Sequence, residues 1–113
     1  MRGRMGLRAQ VDHNGNGRFV VRLNGEADLT STHTITGAIQ PLRDEPGLGR
    51  VEVDVSEVNF LDSAGVRALL AARRSIVSTG AAFVVTQPTA AVADVLRILN
   101  LENLLGLDTT GPT

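Results

Sequence analysis

Cysteine is absent from the 113 residues, so the chain has neither disulfides nor thiolate metal sites. That absence fits a reducing compartment. Tryptophan and tyrosine are absent too, and there are three phenylalanines. The aromatic platforms on which single-stranded bases stack are missing, and any core has to be aliphatic. Neither sign of charge is in excess: 11 Lys and Arg stand against 12 Asp and Glu, a formal net charge of −1. A nucleic-acid binder usually carries a basic stripe or patch, so direct nucleic-acid binding is not expected. No apolar run approaches the roughly 20 residues of a membrane span. The opening MRGRMGLRAQ is basic with no apolar segment behind it, which does not read as a secretory signal. The expectation is a cytoplasmic protein forming one domain over residues 1–113, with its core over about 6–107 and flexible tails at 1–5 and 108–113.

Hydrophobic residues make up 42% of the chain and charged residues 20%, a globular balance. Residues 6–12 and 18–23 read as strands, and HNGNG between them is a turn in which Asn and Gly tolerate positive φ. Those segments predict a β-hairpin. Gly15 and Gly17 join two strands and open no helix, which excludes a phosphate loop. Ile35, Ala38, Ile39 and Leu42 then keep helical spacing. Thr30, Ser31 or Thr32 is the expected cap, and Pro41 weakens the last turn.

RVEVDV (50–55) is the next strand, with Val51, Val53 and Val55 on one face, and the apolar pattern resumes at Val58, Phe60 and Leu61. A helix from about Ser63 to Ser78 comes next, with Val66, Leu69, Leu70, Ile76 and Val77 apolar and Arg73 snorkelling from the stripe's edge. Gly80 stops it, and residues 81–87 form a further strand. Pro88 suits the first position of a last helix striped by Val92, Val95, Leu96 and Leu99 and ended at Asn100. Residues 101–107 fit either a last turn or a short edge strand. The predicted fold class is α/β: a small mixed sheet in the order β-β-α-β-α-β-α, with a short last strand as an option and helices packed mainly on one face. The free edge of the opening hairpin offers a weak pairing site for a second copy.

The chemistry concentrates in NFLDSAGVRALL (59–70), where a strand runs through Asp-Ser-Ala-Gly into a helix. One reading of Ser63 is a nucleophile. The elbow pattern G-x-S-x-G needs small residues on both sides of the serine. Here Leu61 replaces the first glycine and no histidine comes after Ser63. His13 and His33 sit in a turn and near a helix start, without metal-ligand spacing. Catalysis, a resident metal and a cofactor are therefore not expected. A second reading is a helix cap by Asp62 or Ser63. A third is attachment: a hydroxyl in the first turn of a helix is exposed, and helix N-termini favour an added anion.

Three segments resemble the STAS family, named for sulfate transporters and anti-sigma factor antagonists. Asp62-Ser63-Ala64-Gly65-Val66 is similar to its phosphorylatable motif, LNGEADL (23–29) to its Gly-Glu-x-Asp segment, and VADVLRILNLENLL (92–105) to its last helix and Leu-rich turn. The resemblance covers about residues 6–107. It implies a regulatory binding protein and not an enzyme. In the antagonist branch, the unphosphorylated protein binds an anti-sigma factor that is a serine kinase and so frees the sigma factor. The kinase then phosphorylates the motif serine, and a phosphatase resets it. On this resemblance Ser63 is the phosphoacceptor, Asp62 orients the motif and docks, Asp28 lies near Ser63 on the same rim, and Ala64 and Gly65 complete the docking motif, Gly65 letting the helix start pack closely. Helix geometry adds Arg67 and Arg74 as outward-facing groups for an acidic partner. The family also holds members without a kinase, so the alternative is a STAS subunit that scaffolds a larger signalling or transport complex.

Overall fold

A computed structural model describes residues 6–101. β1 (Arg8–His13) and β2 (Arg18–Ala27) form an antiparallel hairpin in which His13 pairs with Phe19. The turn between them works as its residues predict: Gly15, Asn16 and Gly17 all take positive φ. Two crossovers complete the sheet. From β2 the chain passes through a 3-10 turn (Leu29–Ser31), α1 (Thr32–Ile39) and a second 3-10 segment (Gln40–Asp44) into β3 (Arg50–Leu61). From β3 it passes through α2 (Ser63–Val77) into β4 (Ala82–Thr86), and α3 (Ala90–Ile98) closes the described fold. The sheet order is β1-β2-β3-β4, with β2, β3 and β4 mutually parallel. Both crossovers step the same way across the sheet. Such connections share one hand, which puts their helices on one face. α1 and α2 indeed pack against each other and against the sheet.

That face holds the core. Val21, Val51, Val53, Val55 and Val85 from the strands meet Ile35, Ile39, Leu69, Ile76, Val92 and Leu96 from the three helices. It is aliphatic, as the shortage of aromatics requires; Phe19 and Phe83 join it at its margins. Arg73 is half-buried at the stripe's edge, while Val77 and Leu99 are exposed although they share the helical spacing.

Three local expectations are corrected. β2 continues to Ala27 and not Leu23, because it pairs with β3 along its whole length. The side chain that caps the entry to the first helical region is Asp28, ahead of the threonines and serine expected there: its Oδ1 accepts from the Thr30 N–H at 2.9 Å. Ser31 precedes α1 without capping it and turns back to accept from the Asp28 N–H. Pro88 lies before the last helix; Thr89 is the cap, with Oγ1 accepting from the Val92 N–H. Pro41 acts as expected, since α1 tightens to 3-10 geometry at Gln40. The alternatives for 101–107 beyond Leu101, and both predicted tails, lie outside the described residues.

The other face of the sheet is charged. Arg18 makes two hydrogen bonds to Glu52, at 2.8 and 3.0 Å, and Arg50 adds a third at 2.8 Å. Arg22 bonds Asp12 and approaches Asp54. The hydrogen bond from Arg18 holds the Glu52 carboxyl below its ordinary value of 4.5; partial burial opposes it and the bond from Arg50 reinforces it. A carboxyl depressed by folding adds stability above its unfolded value and loses it as pH falls through the folded one. The stability advantage of the wild type over Glu52→Gln should thus be full at pH 7 and shrink as pH drops below 4.5. Melting curves of both proteins across that window check this. A gap that stays constant would mean that the pair contributes nothing through its charge.

Candidate functional site

The site begins with a feature of β3 that simple alternation hides. Val51, Val53 and Val55 are buried at every second position, yet the next buried residues are Val58 and Leu61. The register shows why. Arg22 pairs with Asp54 but Asn24 with Glu57, and Gly25 pairs with Val58 but Glu26 with Phe60. Each shift inserts one extra residue into β3, which turns the strand and resets which side faces the core. The pairing then ends at Ala27 opposite Leu61. Asp28 and Asp62 are therefore the next residues of two neighbouring parallel strands, side by side at their carboxyl ends.

Each aspartate caps the helical turn that it precedes. Asp62 is extended and is the N-cap of α2; its Oδ1 accepts from the Gly65 N–H at 3.0 Å. Its own N–H donates to the Ala27 carbonyl at 3.2 Å, which ties the motif to the end of β2. Asp28 Oδ1 accepts from the Thr30 N–H and, at 2.7 Å, from the Thr30 hydroxyl. Ser31 Oγ accepts from the Asp28 N–H and donates to the Glu26 carbonyl, both at 2.9 Å. These bonds fix the 3-10 turn, which packs against α2.

The rim is closed by a glycine. A Cβ on Gly65 would stand 2.5 Å from the Ala27 carbonyl oxygen and 2.8 Å from Leu61 Cδ1. Only a residue without a side chain lets the first turn of α2 sit this close to β2. The expected close approach at Gly65 is thus present in the geometry.

Ser63 is the first residue of α2 and is exposed, and among the described residues nothing bonds its hydroxyl. Ala64 is half-buried beside it. Arg67 lies one turn on from Ser63 and Arg74 seven residues further, so both share its side of the helix. Both are exposed, and neither has an ion-pair partner among the described residues. The structure therefore brings Asp28, Asp62, Ser63, Ala64 and Gly65 to one rim, with Arg67 and Arg74 leading away from it along α2.

Sequence reasoning missed Leu29. It is 75% exposed in the turn that Asp28 caps, an apolar side chain beside the carboxylates. It stands six positions before Ile35, out of phase with the stripe that α1 buries, so no periodic signal marked it. No histidine is bonded to Ser63. His13 instead stacks on Phe19, ring centroids 4.2 Å apart. Among the described residues no group of three or more His, Asp or Glu is placed to hold a metal ion, and no helix is long and apolar enough to cross a membrane.

The cap has a measurable weight. Asp62→Ala should lower stability by about 1 kcal/mol, the usual worth of an N-cap. Asp62→Asn, which keeps the accepting oxygen, should recover most of it. Chemical denaturation of the three proteins distinguishes this from a purely electrostatic role, in which Asn would behave as Ala does.

Known proteins share this architecture. The family model described as "Mlab, STAS domain" matches residues 9–106. No curated protein sequence matches the chain. Among solved structures, the anti-sigma factor antagonist SpoIIAA in its unphosphorylated form superposes with a TM-score of 0.74 at 20% identity, over 90% of this chain and 89% of that one. The phosphorylated form of the Bacillus protein gives 0.68 at 20% identity, over 90% and 92%. An anti-sigma factor antagonist from Mycobacterium paratuberculosis gives 0.72 at 22% identity, over 93% and 87%. The murine anion transporter Slc26a9 gives 0.68 at 12% identity, over 87% of this chain and 19% of that one. At these identities the structural likeness establishes the fold.

Proposed function

The chain belongs to the STAS domain family, and on that footing we propose that it is an anti-sigma factor antagonist switched by phosphorylation of Ser63. The observation that carries the reading is the exposed, unengaged Ser63 hydroxyl at the start of α2, next to Asp62 and on the rim it shares with Asp28, two carboxylates that are already committed to caps. In this reading the unphosphorylated rim docks on an anti-sigma factor that is a serine kinase, and the sigma factor is released. Leu29 supplies apolar contact, Asp28 and Asp62 supply acceptors, and Arg67 and Arg74 meet acidic groups of the partner.

The kinase transfers the γ-phosphoryl group of ATP to Ser63. The Ser63 Oγ–P bond forms, the bond to ADP breaks, and a base of the kinase takes the hydroxyl proton. Ser63 receives chemistry and performs none. The added group brings about −1.5 to −2 charges. The helix start tolerates it, because N–H groups point outward there. Asp28 and Asp62 add to its negative field, and a partner shaped for a neutral serine loses its fit. A phosphatase restores the hydroxyl. SpoIIAA, which shares this fold, has been solved both with and without phosphate, which supports such a cycle on this scaffold. The cycle needs ATP and a sigma factor, which puts it in the cytoplasm.

Native mass spectrometry of the complex with its anti-sigma kinase tests the reading. The complex should form without ATP and dissociate when magnesium and ATP are added. A stoichiometric complex that ATP leaves intact would overturn the switch and favour a scaffolding subunit.

A further inference from the structure

β1 is an edge strand: among the described residues it pairs with β2 alone. The turn determines which of its backbone groups face outward. The Asn14 N–H donates to the Arg18 carbonyl at 2.9 Å, so position 14 is directed at β2. Antiparallel ladders alternate, so Asp12, Gln10 and Arg8 are directed at β2 as well. The N–H and C=O groups of Ala9, Val11 and His13 therefore point away from the sheet and stand ready to pair.

The side chains of β1 are self-complementary in one register. In an antiparallel pair of β1 strands centred on Gln10, Ala9 of each copy faces Val11 of the other, and Arg8 faces Asp12, twice. This register uses the outward-pointing groups of Ala9 and Val11 as the hydrogen-bonded positions. It places Arg8 and Asp12 at non-hydrogen-bonded positions, where side chains come closest. Centring on Val11 would set Arg8 against Asn14, and centring on Ala9 would set Asp12 against Gly6; neither forms an ion pair. Val11 gains as well. It is 41% exposed although its partner across the hairpin, Val21, is buried. A second strand would cover it.

We propose that two copies of this chain associate through β1, antiparallel about a two-fold axis at Gln10, into one continuous eight-stranded sheet. Asp12 already receives a hydrogen bond from Arg22, so each new contact extends a chain of alternating charge: Arg8 of one copy, then Asp12 and Arg22 of the other. β2 lies between this edge and β3, the strand that leads into Ser63. The association therefore leaves Ser63 of both copies open.

The absence of cysteine makes a clean probe. Gln10→Cys puts the two thiols across the axis, where a non-hydrogen-bonded pair brings Cα atoms within about 4–7 Å, the range a disulfide needs. Under a mild oxidant this variant should cross-link at least about tenfold faster than Arg8→Cys, whose two copies would lie about 13 Å apart. A second test does not depend on new bonds. Arg8→Asp alone and Asp12→Arg alone should each sediment as monomers, and an equimolar mixture should form a heterodimer, because each mismatch is then matched by the other chain. Wild type that sediments at 11.9 kDa at every concentration overturns the proposal. So does cross-linking that is no faster at residue 10 than at residue 8, as it would be if residues 102–113 of the same chain covered the edge. A mixture that stays monomeric overturns the charge register.

Discussion

Gly65→Ala is expected to destabilise the protein by about 2 kcal/mol, lowering its melting temperature by roughly 10 °C. The usual effect of this change inside a helix is the opposite, a gain of about 1 kcal/mol from better helix propensity. Here the new methyl group would stand 2.5 Å from a backbone oxygen, 2.8 Å from Leu61 Cδ1 and 3.0 Å from Ala27 Cβ. The Ala27 oxygen cannot retreat freely, because the Asp62 N–H is bonded to it and Ala27 is paired with Leu61. The clash can be relieved only by moving the start of α2 off the end of β2. Overpacking of this kind costs typically about 1–3 kcal/mol, contact with backbone belongs at the top of that range, and the propensity gain of about 1 kcal/mol offsets part of it. The same displacement would move Ser63 and Asp62, so partner binding should fall together with stability. Thermal denaturation monitored by circular dichroism reads the first effect. A Gly65→Ala protein that melts at or above the wild type would show that the rim is not held as tightly as its distances indicate.

Ser63→Asp should separate the two properties. A carboxylate at the first position of a helix is favoured by the N–H groups there, so the melting temperature should stay within a degree or two of the wild type. Binding should weaken at least tenfold, about 1.4 kcal/mol. The reason is local charge: Asp28 and Asp62 already stand at the ends of β2 and β3, and a third carboxylate on the same rim gives it a field that the unphosphorylated protein lacks. Ser63→Ala, without that charge, should keep binding. Titration calorimetry against the anti-sigma factor compares the three proteins. Equal affinities for wild type and Ser63→Asp would remove electrostatics from the switch.

Much of this was legible in the residues, and most of the exceptions depend on contacts that local pattern does not contain. The hairpin could be read because Asn and Gly are among the few residues that accept the positive φ its turn requires. The helices could be read because Ile35 to Leu42, Val66 to Ile76 and Val92 to Leu96 keep a helical period. The rim residues Asp62 and Ser63 stood out because a strand pattern gives way there to a helix within two residues. Local pattern could not reveal features set by a neighbouring strand. The two irregularities in β3 exist because β2 holds a different count of residues opposite it. Alternation in β3 alone therefore stops at Val55 and restarts out of phase at Val58. β2 looks finished at Leu23, since Asn24, Gly25 and Glu26 have little strand character, yet β3 keeps it in the sheet through Ala27. Asp28 appeared in the sequence as a site residue by resemblance, and its capping of the Leu29–Ser31 turn became visible only with the backbone. Leu29 was overlooked because one apolar residue in a polar loop carries no period.

At the centre of the proposed switch, Ser63 receives a phosphoryl group from the protein's own binding partner. The most direct measurement is to incubate the protein with its anti-sigma kinase, magnesium and ATP, and to map the modification by tandem mass spectrometry. The expected result is a single phosphate on Ser63 and none on the Ser63→Ala protein. No phosphate on the wild type, or phosphate that persists on another residue when Ser63 is alanine, would contradict it.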